Sequence, residues 1–227
     1  MSEFERPVCL PVLALRGLCV FPKMLTHFDV GRKSSMAAVE EALREDQQIF
    51  LVTQKDVETD HPKRNDLYTV GTVSIVKQVL RLPGENMRIL VEGQYRAELL
   101  DIVQSEPYLF GRMQKLEELP YNHSLPRVEA LLRQAHSQFE QFAELSGRNM
   151  QEALLRLLTS EDAGYTADFI GQDATFSYQN KQQLLEQLRG LRQSVEAAFL
   201  NAGRHEVVAG AFGRGLREER RLDVDEA

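Results

Sequence analysis

The spacing of apolar residues changes at about residue 119, and this change constrains the fold more than any other feature of the sequence. Before it, apolar and polar residues alternate over short runs that are typical of strands, as in residues 25–30 and 70–80. After it, apolar residues recur every three or four positions, as on one face of a helix. The pattern therefore predicts an α+β protein with a β-rich part followed by a helical part.

The β-rich part is expected over residues 1–118. Its strand-like runs cover residues 8–20, 25–30, 49–53, 70–80, 87–91, 95–103 and 108–116, and the segment Glu92-Gly93-Gln94 is expected to join two of them. Ser34 or Ser35 can cap one short amphipathic helix. Several short strands with one early helix favour a closed or nearly closed small barrel, because closure removes exposed edges.

The helical part is expected over residues 119–202. Three stripes at helical spacing lie within residues 124–145, 150–158 and 179–200, and a bundle is the arrangement that buries them together. The boundary is placed near residues 119–122, where a proline and polar residues interrupt both patterns. Residues 203–227 are predicted to be a flexible tail, because four glycines oppose a stable helix there: Gly203, Gly210, Gly213 and Gly215.

Composition narrows the class of protein. A net charge of −7 argues against a general affinity for nucleic acid phosphates. Cys9 and Cys19 both lie in apolar runs and are expected to be small buried thiols in a reducing compartment. No run approaches the length of a membrane span, and the first residues do not have the layout of a signal peptide. A cytoplasmic location without membrane contact is therefore predicted.

The sequence offers no constellation for chemistry. Its five histidines are scattered, with no Ser-His or Cys-His arrangement, and no Cys or His pair has zinc-like spacing. The glycine-rich residues 210–215 lack the lysine of a phosphate-binding loop. We therefore predict no catalytic residue, no metal site and no cofactor.

A binding surface is the remaining functional prediction. The turn at residues 21–25 carries large apolar side chains where a polar loop is expected, and Met87 follows a second apolar turn at residues 82–84. The alternative is that such residues close the ends of the barrel. The predicted substrate-binding residues are Phe21, Pro22, Met24, Leu25 and Met87.

Several motifs, specific in combination, carry a family resemblance. Residues 10–17 read Leu-Pro-x-Leu-x-Leu-Arg-Gly, residues 21–24 Phe-Pro-x-Met, and residues 30–35 Val-Gly-Arg-x-x-Ser. Val91-Glu92-Gly93-x-x-Arg96 follows, and the run 181–186 is the one good match in the second half. Over about residues 8–200 the chain resembles the N-terminal domain of the ATP-dependent protease Lon.

The resemblance implies a small PUA-like β-barrel with a short helix, followed by an α-helical bundle. It also implies recognition of unfolded or damaged polypeptides, and oligomer support for an ATP-dependent serine protease. The resemblance further suggests that the chain associates with copies of itself or with Lon-type protease subunits. No position matches the nucleotide-binding loop or the Ser-Lys dyad of the family, so the chain is expected to be non-catalytic by itself.

Two alternatives remain open from the sequence. The chain is expected to be either a truncated N-terminal piece of such a protease or a stand-alone adaptor or regulator of the same domain family. A third reading, an RNA-binding PUA-like module, is disfavoured by the net charge of −7 and by the lack of a basic stripe interleaved with aromatic residues.

Overall fold

The chain divides into two compact units. A computed structural model describes residues 6–84, 86–117, 126–145, 151–160, 162–173 and 176–186. The first unit comprises Met1–Glu117 together with Tyr178–Glu186, and the second comprises Glu118–Ser177 and Gln187–Ala227. The predicted boundary at residues 119–122 and the predicted flexible tail at residues 203–227 lie outside the described residues.

The first unit contains a six-stranded mixed sheet and an early helix, where the sequence predicts several strands and one early helix. The strand order is β2-β5-β4-β3-β1-β6; β1 and β3 are parallel, and every other pairing is antiparallel. Helix α1 (Lys33–Arg44) follows β2. The prediction that Ser34 or Ser35 caps it is wrong, because the N-cap is Arg32 and both serines lie within the first turn. The strands are β1 (Val8–Leu15), β2 (Leu25–Val30), β3 (Gln48–Thr53), β4 (Val70–Leu82), β5 (Asn86–Gln104) and β6 (Leu109–Lys115).

Strand β5 closes the sheet on itself. It is 19 residues long; its first half pairs with β2 and its second half with β6, and β4 accompanies it along most of its length. The prediction of two strands separated at residues 92–94 is wrong. Strand β5 runs continuously through these residues, and its register with β4 shifts there, because Val73 pairs with Tyr95 and Ser74 pairs with Gly93, which leaves Gln94 as an extra residue. Strands β1, β3, β4, β5 and β6 thus form a ring.

Strand β1 is buried on both faces near its end. Leu13 and Leu15 pack into one apolar core, which α1 covers, whereas Val12 and Ala14 pack into a second core inside the ring. The strand ends at Leu15 and not at residue 20, since Gly17 takes a positive φ of 64°. At the other end, Cys9 is exposed, so the expectation of two buried thiols holds for Cys19 alone.

The second unit has three described helices: α2 (Pro126–Leu145), α3 (Gln151–Leu158) and α4 (Ala163–Asp173). Helix α2 contacts both others. Phe139 is the centre of an aromatic group, with ring centroids 5.8 Å from both Phe142 and Phe169. The helical spacing of apolar residues therefore predicted α2 and α3, while a bundle over the whole of residues 119–202 stays a prediction.

Helix α5 (Tyr178–Glu186) packs in the first unit, although its apolar stripe suggested a place in the bundle. Its buried Gln182 donates from Nε2 to the Val70 carbonyl at 2.9 Å, and Arg96 of β5 donates from Nε to the Leu185 carbonyl at 3.1 Å. The Cys19 thiol lies against the same helix. Apolar periodicity could not predict this position because polar groups hold the helix. The rest of the stripe, residues 187–200, lies outside the described residues.

Candidate functional site

The predicted binding turn at residues 21–25 is mostly buried. Phe21, Pro22 and Met24 are inaccessible to solvent or nearly so, whereas 60% of Leu25 is exposed. The Met24 N–H bonds to the Phe21 carbonyl, and Lys23 between them has a positive φ of 62°, as at the third position of a type II turn. The turn thus directs Phe21 and Met24 inward and leaves Leu25 at the surface.

Gly93 of β5 receives this turn. The Lys23 N–H donates to the Gly93 carbonyl at 2.8 Å, and the Gly93 N–H donates to the Met24 carbonyl at 3.0 Å. A Cβ atom on Gly93 would lie 2.2 Å from the Phe21 carbonyl oxygen, so the approach requires glycine. Two of the motifs that carry the resemblance therefore meet in space as one structural clamp.

Met87, the fifth predicted residue, is buried in the core that α1 covers. Its side chain points inward together with Ile89 and Val91 of the same strand. Substrate contact by Phe21, Pro22, Met24 and Met87 stays a prediction. Leu25 is the member of the predicted set whose side chain the structure leaves accessible.

Leu25 belongs to an apolar surface on the outside of strands β2, β5 and β4. The register places Leu25 opposite Glu92, His27 opposite Leu90, and Arg88 between Asp29 and Leu80, so these side chains share one face. Leu25 and Leu80 are 60% and 53% exposed, and the other apolar residues of this face, Ile75, Leu82 and Leu90, are partly buried. We call this surface the outer apolar face, and it consists of Leu25, Ile75, Leu80, Leu82 and Leu90.

Two ion pairs cross the outer apolar face. Arg88 binds Asp29 through two contacts, Nε–Oδ1 at 2.6 Å and Nη2–Oδ2 at 2.9 Å, and Lys77 binds Glu92 at 2.6 Å. The hydrogen bond from Arg88 lowers the pKa of Asp29, and the one from Lys77 lowers the pKa of Glu92. Both carboxylates are therefore ionised at neutral pH, and each is paired with a cation. The ion pairs thus give the face little net charge that would favour an acidic or a basic ligand.

Sequence alternation missed this face because of a bulge. Simple alternation would put Val73, Ile75 and Val79 on the same face of β4. The register with β5 shifts between Val76 and Gln78, however, and Lys77 is left as an extra residue. Val73 and Val79 consequently pack against different cores. Ile75 precedes the bulge and shares the face of Leu25, because both pair with Glu92. Leu80 then joins the exposed side. Four of the last seven residues of β4 are apolar, and this is the sequence signal that both faces of the strand carry apolar side chains.

A protein-family comparison agrees with the motifs and the fold. Residues 9–194 match the family model described as the ATP-dependent protease La (LON) substrate-binding domain. The chain belongs to this family. The clamp between residues 21–24 and Gly93, and the closing strand β5, both lie within the matched region.

Full-length relatives extend the match. The chain is 42% identical over 179 residues to the Lon protease of Heliobacterium modesticaldum and 40% identical over 177 residues to that of Syntrophomonas wolfei. These alignments cover 79% and 78% of the chain but 22% of each relative. The chain thus spans about a fifth of the length of these curated relatives.

Solved structures share the fold. The N-terminal domain of a Mycobacterium avium complex Lon protease aligns with a TM-score of 0.63 at 20% identity, covering 84% of this chain and 95% of that one. The Lon N-terminal domain protein of Xanthomonas campestris aligns with a TM-score of 0.61 at 12% identity, covering 85% and 98%. At these identities the likeness supports the fold alone.

Among the described residues, no group of three or more His, Cys, Asp and Glu side chains is placed to hold a metal ion. None of the helices in the described ranges is long and apolar enough to cross a membrane.

Proposed function

We propose that the chain recognises unfolded or damaged polypeptides through the outer apolar face, as the substrate-binding part of a Lon-type ATP-dependent protease. The observation that carries the proposal is a pair of half-exposed leucines, Leu25 and Leu80, on one face of a rigid sheet. Large exposed apolar side chains on a well-packed scaffold are typical of interaction surfaces.

The chemistry of the face fits a ligand without a defined sequence. Apolar contact contributes roughly 25 cal/mol per Å² buried, whatever the order of side chains in the ligand. The charges on the face are paired with one another, so neither an acidic nor a basic segment is favoured. The same pairing leaves no stripe of unpaired basic groups there for nucleic acid.

Binding by one copy is expected to be weak, because ordering a flexible ligand offsets most of the apolar gain. A dissociation constant in the micromolar range or above corresponds to roughly −8 kcal/mol or less in magnitude. Several linked copies would raise the avidity without any new contact. Self-association and attachment to protease subunits, with a cytoplasmic location, are parts of the same proposal.

A titration of reduced, carboxymethylated α-lactalbumin, which is permanently unfolded, tests the face. The double variant Leu25→Ser/Leu80→Ser should bind roughly tenfold or more weakly, since each half-exposed leucine is worth about 1 kcal/mol on burial. The matched control is Leu100→Ser/Val103→Ser, which removes side chains that are 41% and 56% exposed elsewhere on β5. Equal weakening by both pairs would refute a role specific to this face.

The proposal assigns no chemical step to the chain itself. We expect the purified protein neither to hydrolyse ATP nor to cleave casein, since the sequence has no phosphate-binding loop or Ser-Lys dyad that matches the family. Nucleotide-dependent casein cleavage by this chain alone would contradict it.

A further inference from the structure

Strand β2 forms an open edge of the sheet. Within the described ranges it pairs with β5 alone, over all six of its residues. Hydrogen-bonded and non-bonded positions alternate along an antiparallel ladder, and the bond from Gly93 N–H to the Met24 carbonyl sets the phase. The main chain of Thr26, Phe28 and Val30 therefore faces β5. The N–H and C=O groups of Leu25, His27 and Asp29 face the other way.

A cleft lies beside the last three residues of β2, Phe28, Asp29 and Val30. It has a volume of about 320 Å³, and Phe28 and Asp29 of β2 line one wall. Leu13 and Leu15 of β1 line the other wall, where β1 has no strand beside it because its pairing with β6 stops at Val12. Two strand ends thus face each other across a space that no described strand fills.

Arg32 lies in this cleft and binds the main chain of β1. Its Nη2 donates to the Ala14 carbonyl, and its Nη1 donates to the Asp60 carbonyl at 3.3 Å. The Arg32 side chain thereby gives the Ala14 carbonyl the hydrogen bond that a neighbouring strand would otherwise give it. On β2 the outward groups have no such substitute, since no hydrogen bond in the described residues reaches the main chain of His27 or Asp29 from that side.

We propose that an extended segment of an unfolded polypeptide pairs with the open edge of β2 and adds one strand to the sheet. This inference rests on the proposed function and names the form in which the ligand binds. Leu25, His27 and Asp29 present one N–H and one C=O each at two-residue spacing, and an extended main chain matches that pattern. Every residue of a ligand except proline supplies both a main-chain N–H and a C=O, so the edge can pair with a segment of almost any sequence.

The edge and the outer apolar face are continuous at Leu25. Its main chain belongs to the open edge, and its side chain belongs to the face. A segment of about six residues, roughly 20 Å when extended, would run the length of β2. Alternate side chains of that segment would lie beside Leu25 on the face, so one ligand would use both features.

The decisive variant is His27→Pro, compared with His27→Ala. Proline removes the outward N–H of residue 27, which the ladder to β5 does not use, and proline is tolerated on an edge strand in that orientation. Alanine changes the same side chain and keeps the N–H. We expect His27→Pro to weaken binding of the unfolded α-lactalbumin by roughly three- to tenfold, the range of one lost hydrogen bond, and His27→Ala to bind like the original chain.

Hydrogen exchange on the unaltered chain gives an independent measurement. Saturation with unfolded α-lactalbumin should slow exchange of the His27 and Asp29 amides, because a bound strand accepts their hydrogens. The amides of Thr26 and Phe28 already bond to β5 and should change little. Circular dichroism and thermal melting show whether His27→Pro is folded. If it is not, the hydrogen exchange of the unaltered chain decides whether a bound segment pairs with β2.

Each outcome has one meaning. Slowed His27 and Asp29 amides, with weaker binding by folded His27→Pro, support strand addition. Unchanged amides, or full binding by folded His27→Pro, overturn it; if Leu25→Ser/Leu80→Ser still weakens binding, the proposed function stands without it. No binding of unfolded α-lactalbumin by the unaltered chain refutes both. A dimer in sedimentation velocity that His27→Pro converts to a monomer overturns the inference in favour of pairing between two β2 edges.

Discussion

Strands β2 and β3 have the same length and opposite surroundings. Each has six residues, but β3 lies between β1 and β4 and is almost wholly buried, whereas β2 has one strand neighbour among the described residues and alternates between exposed and covered side chains. Leu51 of β3 packs in a core, while Leu25 of β2 is more than half exposed. The comparison teaches that two strands of equal length differ in role when one is buried on both faces: β3 belongs to the core, whereas β2 keeps the accessible side chains and open edge on which the proposed recognition depends.

The largest expected effect comes from breaking β3. Phe50→Ala should lower the free energy of unfolding by about 3–5 kcal/mol, because it empties a fully buried site between strands. Leu25→Ala on β2 should change it by less than about 0.5 kcal/mol. Urea denaturation of both variants measures the contrast, and similar losses would remove the distinction between the two strands.

The second effect tests how β2 is anchored. Gly93→Ala should cost about 1–3 kcal/mol, because the added Cβ would meet the Phe21 carbonyl oxygen and force the turn before β2 away from β5. Gly84→Ala is a comparison in which nothing lies within 4 Å of the added Cβ; its φ of +84°, unlike that of Gly93, is positive and adds a backbone strain of its own. Denaturation midpoints compare the two. A loss in Gly93→Ala of less than about 0.5 kcal/mol, the size expected at an unconstrained surface position, would show that close approach does not constrain the turn.

The third effect concerns the end of β3, where Thr53 contacts the Cys19 thiol at 3.1 Å. Burial raises the pKa of Cys19 from 9.0 to about 11. The folded chain therefore holds this proton more tightly than the unfolded chain. Stability that is complete below pH 9 is lost as the pH rises to about 11, by up to about 2 kcal/mol.

Denaturation of the original chain and of Cys19→Ala at pH 8 and pH 10.5 isolates this contribution. The variant loses the titrating thiol, so the original chain should show the steeper alkaline loss of stability. Equal pH dependence of the two proteins would mean that the thiol does not titrate differently on unfolding.

The smallest effect is expected on the outer side of β2. The hydrogen bond from Arg88 lowers the pKa of Asp29 below its ordinary value of 3.8, so the ion pair stabilises the fold above that pH and the contribution is lost as the pH falls further. Both side chains are half exposed, and salt screens the pair. Asp29→Asn should therefore shift the melting temperature less than any change above, and 1 M NaCl should abolish the difference. A large, salt-resistant shift would contradict an exposed pair.

The local pattern was enough to predict β2, α1 and the first half of β4. Alternation from Leu25 to Val30 placed β2 at its observed bounds, since one of its faces is covered and the other exposed. The same logic cannot resolve β1 near Leu13, because both faces of the strand are buried and its pattern is uniformly apolar. The end of β1 depends on the backbone at Gly17.

The accessible site was harder to predict because its causes are distant in sequence. Phe21 and Met24 look like exposed loop residues until Gly93, some 70 residues later, binds their turn. Leu80 looks like part of a mixed strand until the bulge at Lys77 turns it outward. Of the predicted binding residues, Leu25 is exposed because it follows the turn and does not belong to it.

The return of α5 to the barrel has a consequence for how the chain folds as it leaves the ribosome. Strand β6 ends at Lys115, yet Gln182 and Leu185, which are fully or almost fully buried in the same unit, come some 70 residues later. Synthesis at about 5–20 residues per second delays them by roughly 3–14 s. During that interval the barrel lacks the amide that binds the Val70 carbonyl. A nascent chain stalled before Tyr178 should thus be more open to protease than one stalled well after Glu186, and the helical segment between must emerge before the first unit is complete.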